Sequence, residues 1–282
     1  MIPELPAASS TELDALVDAL AGKRIALLTG AGCSTESGIP DYRGEGTSRR
    51  ARNPIKFDAY VGDPIARTRY WARSLIGWPK IASAQPNPSH LGLAALEREG
   101  VVIGLITQNV DRLHHAAGSR EVVELHGALA EVRCLACGTI EARAQLQARL
   151  LERNPSWREA DASMAPDGDA DFDDAHSLAE FEPCDCLRCG GLLKPNVVFF
   201  GESVPAERVA RGHAMVEDAE LLLVLGSSLT VFSGLRFVKR AVERALPVVI
   251  VNAGPTRGDP LATLRLEARV GELVPRLVGR LA

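Results

Sequence analysis

Five short runs along the chain are apolar on consecutive positions and end in turn residues: RIALLTG (24–30), VVIGLIT (101–107), NVVFF (196–200), LLLVLGSS (221–228) and PVVIVN (247–252). A strand with one wet face alternates apolar and polar residues, whereas unbroken apolar runs suit strands buried on both faces of a parallel sheet. Between these runs, residues 89–99, 205–218 and 232–245 carry apolar positions at three- and four-residue spacing, the period of an amphipathic helix, with Ser89 placed to cap the first. Strands alternating with helices, with glycine at strand ends, predict an α/β fold. Its form is a Rossmann-like doubly wound parallel sheet that binds ligand at the carboxyl ends of its strands.

Two stretches break the alternation. Residues 44–88 read as arginine-rich helix and loop closing on QPNP, and residues 131–192 hold five of the six cysteines and the acidic APDGDADFDD. Together they predict a smaller helical and zinc-binding module, 44–88 with 131–192, set into a Rossmann-like domain made of 1–43, 89–130 and 193–282. The D-x-D-x-D beginning at Asp167 reads as a solvated loop rather than a calcium loop, because Phe172 stands where the turn glycine belongs and Leu178 where the bidentate glutamate belongs, and most of it lies outside the residues described below.

Composition narrows the class of partner. A net charge of −4 and no basic block beyond Arg49, Arg50 and Arg52 give no electrostatic footprint for nucleic acid or a membrane surface. No apolar run approaches the roughly 20 residues that span a bilayer. The opening MIPELPAASSTELDALVDAL lacks the basic stretch and apolar run of a signal or transit peptide, so a cytoplasmic location is expected.

Cysteine spacing points to a metal. Cys134-x-x-Cys137 and Cys186-x-x-Cys189 are each followed by a glycine, Gly138 and Gly190, as tight thiolate knuckles require. Four thiolates make a closed tetrahedral zinc site that holds structure and leaves no position for a substrate. Cys184 is the poorer fit in spacing and is assigned as a bystander.

After the first strand, Gly30 and Gly32 give G-x-G, which lets backbone approach a pyrophosphate; the third glycine of the usual fingerprint is replaced by Thr35. The longer string GAGCSTESGIPDYR resembles the signature of the sirtuins, the Sir2 family of NAD-dependent protein lysine deacylases. TQNVDRLH (107–114), ELHG (124–127), KPNVVFFGE (194–202), GSSL (226–229) and VN (251–252) follow in that family's order. Within it, RYWARSLIGWP, QPNPSH, APDGD and VVFFGE are most similar to a class II branch that includes a lipoamidase-type mitochondrial sirtuin and bacterial relatives.

The resemblance implies a site. Gly30, Ala31, Gly32, Thr35, Pro40, Asp41, Tyr42 and Arg43 would form the NAD-binding loop; Gln108, Asn109 and Asp111 would serve the nicotinamide ribose and carboxamide. Gly226, Ser227, Ser228, Asn252 and Val270 would take the adenosine half. His126, with Asn109 and Asp111, would be catalytic: the acyl-lysine carbonyl displaces nicotinamide from the ribose, and the histidine acts as general base on a ribose hydroxyl. A lone histidine at a strand end is more often structural; the L-H-G context makes His126 the base.

An acyl-lysine protein or peptide is the implied substrate, paired through the main chain of Val198, Phe199 and Gly201. Tyr70 and Arg73, three apart on one helix face, match a pair used for acidic acyl groups. The alternative activities are mono-ADP-ribosyl transfer and non-catalytic sensing of NAD or ADP-ribose. Cys33, inside the nucleotide loop, reads as a small packing residue, the alternative being a redox-sensitive thiol.

Overall fold

In the computed structural model, residues 9–41, 54–158, 160, 170 and 178–281 are described. The strands are β1 Ile25–Thr29, β2 Val102–Thr107, β3 Val122–Glu124, β4 Gly127–Cys134, β5 Ile140–Ala142, β6 Leu193–Val197, β7 Leu221–Leu225, β8 Val248–Asn252 and β9 Leu264–Glu267. The helices are α1 Ser10–Leu20, α2 Phe57–Gly62, α3 Pro64–Ser83, α4 Pro88–Arg98, α5 Leu113–Ala116, α6 Arg143–Arg153, α7 Ala206–Asp218, α8 Phe232–Glu243 and α9 Val270–Leu281. The chain divides into two units, one of residues 1–41, 85–126 and 204–282, the other of residues 42–84 and 127–203.

The first unit is built on six parallel strands in the order β3-β2-β1-β7-β8-β9. All five residues of β1 and of β7 are buried, because both faces are covered. Ile25, Leu27, Leu221 and Leu223 join a core with Leu16 of α1, Leu93 of α4 and Leu273 of α9, while Ala26, Leu28, Leu222 and Val224 join a second core with Val216 of α7 and Phe237 of α8. The period of two in a strand thus becomes two separate hydrophobic layers, each buried aliphatic side chain contributing about 1.5–3 kcal/mol. The strand order is the doubly wound one, and its reversal falls between β1 and β7.

Helix α4 begins one step earlier than its periodicity suggests. Its N-cap is Asn87, whose side chain accepts from the backbone N–H groups of Ser89 and His90, and Pro88 takes the first helical position, where its missing N–H costs nothing. Ser89 therefore lies inside the helix rather than capping it.

The second unit carries a small antiparallel sheet, β5-β4-β6, packed with α2, α3 and α6. Here the run 196–200 departs from expectation: it does not join the parallel sheet. Leu193–Val197 pairs with β4, and Phe199 leaves the strand to pack edge-on against Tyr60 and Tyr70. Consecutive apolar residues arise there because the strand runs into an aromatic core, so residues 193–203 belong with this unit. Pro79 interrupts α3, which leaves the carbonyl of Leu75 without its helical donor; Gln147 Nε2 supplies one at 2.9 Å.

Candidate active site and metal centre

Each strand of the six-stranded sheet ends in a residue singled out from the sequence. Gly30 follows β1, Gln108 follows β2, His126 lies just past β3, Gly226 follows β7, Asn252 closes β8, and Val270 opens the helix after β9. The first and fourth of these loops interlock. Gly30 N–H donates to the Leu225 carbonyl at 3.1 Å and Gly32 N–H to the Gly226 carbonyl at 2.9 Å. A Cβ at Gly32 would fall 2.8 Å from Gly226 Cα, and Gly226 itself has φ +61°. The glycines of G-x-G are thus required by the neighbouring loop, a reason the spacing alone does not reveal. Two 3₁₀ turns, Ala31–Cys33 and Thr35–Ser37, follow in place of a long helix, and Thr35 is exposed at the second.

Asn109 and Asp111 are tied to a serine that the sequence reading passed over. Ser34 Oγ donates to Asp111 Oδ2 at 2.6 Å, accepts from Asn109 Nδ2 at 3.0 Å, and lies 3.5 Å from His90 Nε2. That uses one donor and two acceptor positions, the full capacity of a hydroxyl. The backbone N–H of Asn87 reaches His90 Nδ1, so the ring proton sits on Nε2, toward Ser34. Burial holds His90 below the usual imidazole range, against the pull of Asp111, and holds the neighbouring His114 well below it. Ser34 and His90 lie inside the strings GAGCSTESG and QPNPSH; only those strings could have marked them.

His126 is partly buried and held at both nitrogens. Nδ1 lies 2.9 Å from the Gln108 carbonyl, which only accepts, so Nδ1 carries the proton; Nε2 then accepts from Ser233 Oγ at 2.8 Å. Burial depresses its proton affinity, the Gln108 carbonyl opposes that, and the charges of Arg208 and Arg236 depress it further. A neutral ring whose Nε2 is an acceptor, here of the Ser233 hydroxyl, is the state a general base needs. Gly127 directly after it takes φ +82° at the turn into β4.

The remaining predicted residues are placed as follows. Gln108 Oε1 accepts from Ser227 Oγ at 2.6 Å, Ser228 Oγ lies 3.1 Å from Thr230 Oγ1, and Asn252 Nδ2 donates to the Gly254 carbonyl at 2.8 Å. Ala31, Pro40 and Asp41 are half-buried, and Tyr42 and Arg43 lie outside the described residues. Val270, at the start of α9, buries its side chain in the core. Cys33 is buried, its thiol directed at the Leu225 carbonyl and pushed up to about 12 by burial, which makes it an inert packing group.

In the second unit, the main chain of Phe199, expected to pair with a substrate, is already engaged by Glu202, through its carboxylate at 2.7 Å and its N–H at 3.0 Å, and Gly201 takes φ +90°. Tyr70 is buried among Tyr60, Trp71 and Phe199, and Arg73 Nε donates to the Ala170 carbonyl at 2.8 Å. Tyr70 and Arg73 share α3, but neither is displayed as a simple surface pair.

The sulfur atoms of Cys134, Cys137, Cys186 and Cys189 all lie within 4.8 Å of one another. Cys134 to Cys189 is 3.5 Å and Cys137 to Cys186 is 3.8 Å. A tetrahedron with Zn–S bonds of about 2.3 Å has edges of roughly 3.8 Å, so the donor set fits zinc. The two knuckles are alike: Gly138 N–H returns to Cys134 and Gly190 N–H to Cys186, with both glycines at positive φ. No histidine joins this cluster among the described residues, and Cys184 is buried in the aromatic core instead.

Fold and site together define a dinucleotide-binding α/β protein with a four-thiolate metal module. The family model described as the Sir2 family matches residues 30–233, and the chain belongs to that family. It is 50% identical over 272 residues to NAD-dependent protein deacetylase 1 of Streptomyces coelicolor, covering 96% of this chain and 91% of the relative. It is 49% identical over 256 residues to the NAD-dependent protein lipoamidase sirtuin-4, mitochondrial, of Bos taurus, covering 90% and 81%. A solved Sir2 structure with deacetylated p53 peptide and 3'-O-acetyl ADP-ribose superposes with a TM-score of 0.77 at 32% identity, covering 96% of this chain and 99% of that one.

Proposed function

We infer that this chain is an NAD-dependent protein lysine deacylase, which moves the acyl group from lysine to ADP-ribose and releases nicotinamide. One observation carries the reading: His126 is held as a neutral base at the carboxyl edge of the sheet, Nδ1 pinned to a carbonyl and Nε2 accepting from Ser233. Bound NAD supplies the electrophilic ribose carbon and the leaving group. The protein contributes orientation and one proton acceptor.

Loops 30–35 and 226–228, with Asn252, are assigned to the dinucleotide, and Asn109 and Asp111 to its nicotinamide end. The fixed Ser34 bridge keeps those two side chains from reorganising when the ligand arrives. Nε2 of His126 takes a ribose hydroxyl proton in place of the one Ser233 offers it. Zinc at Cys134, Cys137, Cys186 and Cys189 holds the second unit together and takes no part in the chemistry. Val198 and Gly201 are assigned to the substrate backbone.

Within the family, we assign the chain to the class II branch, on the strength of RYWARSLIGWP, QPNPSH and the likeness to the bovine relative. Tyr70 is packed against Tyr60, Trp71 and Phe199 and Arg73 is bound to the Ala170 carbonyl, so acyl selection is not assigned to that pair. Its place is the cytoplasm, where a reducing environment keeps four metal-binding thiols free of disulfides. Mass spectrometry of a reaction with NAD and an acyl-lysine peptide tests the activity. Free nicotinamide, unmodified lysine peptide and acylated ADP-ribose should form in equal amounts; ADP-ribosylated protein without acylated ADP-ribose would overturn it.

A further inference from the structure

Helices α7 and α8 flank β7, running against the parallel strands, so both start at the carboxyl edge where His126 lies; α7 packs on β2, β3 and α8. Arg208 is in the first turn of α7, and Arg236 follows Ser233 by one turn of α8, on the same face as the hydroxyl that bonds His126. Cations are disfavoured near a helix N-terminus, where the macrodipole is already positive. The first turn of α7 also carries Glu207, which among the described residues forms no ion pair with these cations, and Glu217 and Glu243 both pair with Arg240, farther along α8.

Among the described residues, no carboxylate lies within ion-pair distance of Arg208, Arg236 or Lys239, and Arg236 Nε is buried with no hydrogen-bond partner. The guanidinium of Arg236 and the ammonium of Lys239 both sit over the ring of Phe232, at 5.2 and 5.6 Å, and Phe232 is 52% exposed. With no carboxylate bound to either, the two cations on this ring keep their charge open to an anionic group one turn from the serine that bonds His126.

We propose that Arg208, Arg236 and Lys239 form a carboxylate-binding rim beside His126 that selects acyl-lysine substrates bearing a negative charge close to the scissile amide. The proposal rests on His126 being the reacting centre, as argued above. The carboxylate has two sources, the end of the acyl chain or an acidic residue next to the lysine. Both present the same chemistry to a guanidinium fork.

Three peptides separate them: an acetyl-lysine peptide with asparagine on either side of the lysine, the same peptide with aspartate there, and the asparagine peptide carrying glutaryl-lysine. The parent enzyme should favour the second or the third over the first by roughly tenfold in kcat/KM, as two partly exposed charge pairs allow. In Arg208→Gln/Arg236→Gln that ratio should fall toward one, and in Arg236→Lys it should be largely kept. Salt should narrow the parent's preference. Equal kcat/KM for all three peptides, or a ratio unmoved in the double variant, overturns the rim while leaving deacylation standing. Turnover of none of them overturns the reading on which it rests.

Discussion

His126, His90 and His114 share one physical circumstance: each is held below its ordinary proton affinity chiefly by burial. In the folded chain they stay neutral at a pH where an unfolded imidazole, with a pKa of about 6.5, already binds a proton. The unfolded state therefore takes up protons first as pH falls, and stability present above about 6.5 is lost below it, by roughly 1.4 kcal/mol per pH unit for each histidine kept neutral. Thermal melts should show Tm level above about pH 7.5 and falling from about 6.5 toward 5. A level Tm through that window would contradict the neutral assignment. Ser34 belongs to the same scale. Nothing about a single serine in a loop signals that it joins Asn109, Asp111 and His90, because the partners lie 56 to 77 positions away along the chain.

At the scale of elements, the buried runs 24–30, 101–107, 221–228 and 247–252 were legible because a sheet covered on both faces leaves no polar alternation to confuse them. The run 196–200 was not, since a strand leading into an aromatic core presents the same consecutive apolar residues as a central parallel strand. Asn87 was hidden by the proline beside it, whose usual reading is a break rather than the first residue of a helix. The interlock of the loops after β1 and β7 makes a sharper test of how elements build the site. Gly226→Ala places a Cβ 2.8 Å from the Gly32 carbonyl carbon and forces a side chain into φ +61°. The left-handed backbone alone costs about 1–2 kcal/mol. Denaturant unfolding should show at least that loss, and KM for NAD should rise; unchanged values for both would mean the two loops are not mutually constrained.

For the molecule as a whole, the two-part organisation and the four thiolates were legible because metal ligands come as short, regular pairs whose spacing can be read whatever lies between them. The closed cluster implies that the second unit depends on its ion, structural zinc sites contributing on the order of 10–16 kcal/mol in small metal-bound modules. Cys186→Ser, or chelation of the parent protein, should abolish amide-exchange protection in β4, β5 and β6 while β1, β2 and β7 keep theirs. Protection in both units that survives zinc removal would assign the cluster a lesser role.

The central claim is that sulfur holds the metal and the imidazole serves the reaction, two tasks kept on different residues. His126→Ala tests it most directly, with product formation and zinc content measured on the same preparation. Loss of a positioned base predicts a fall of about 10²–10⁴ in the rate of acylated ADP-ribose formation, at one zinc per chain as in the parent. A variant that turns over at the parental rate, or that has lost its zinc, would contradict the account.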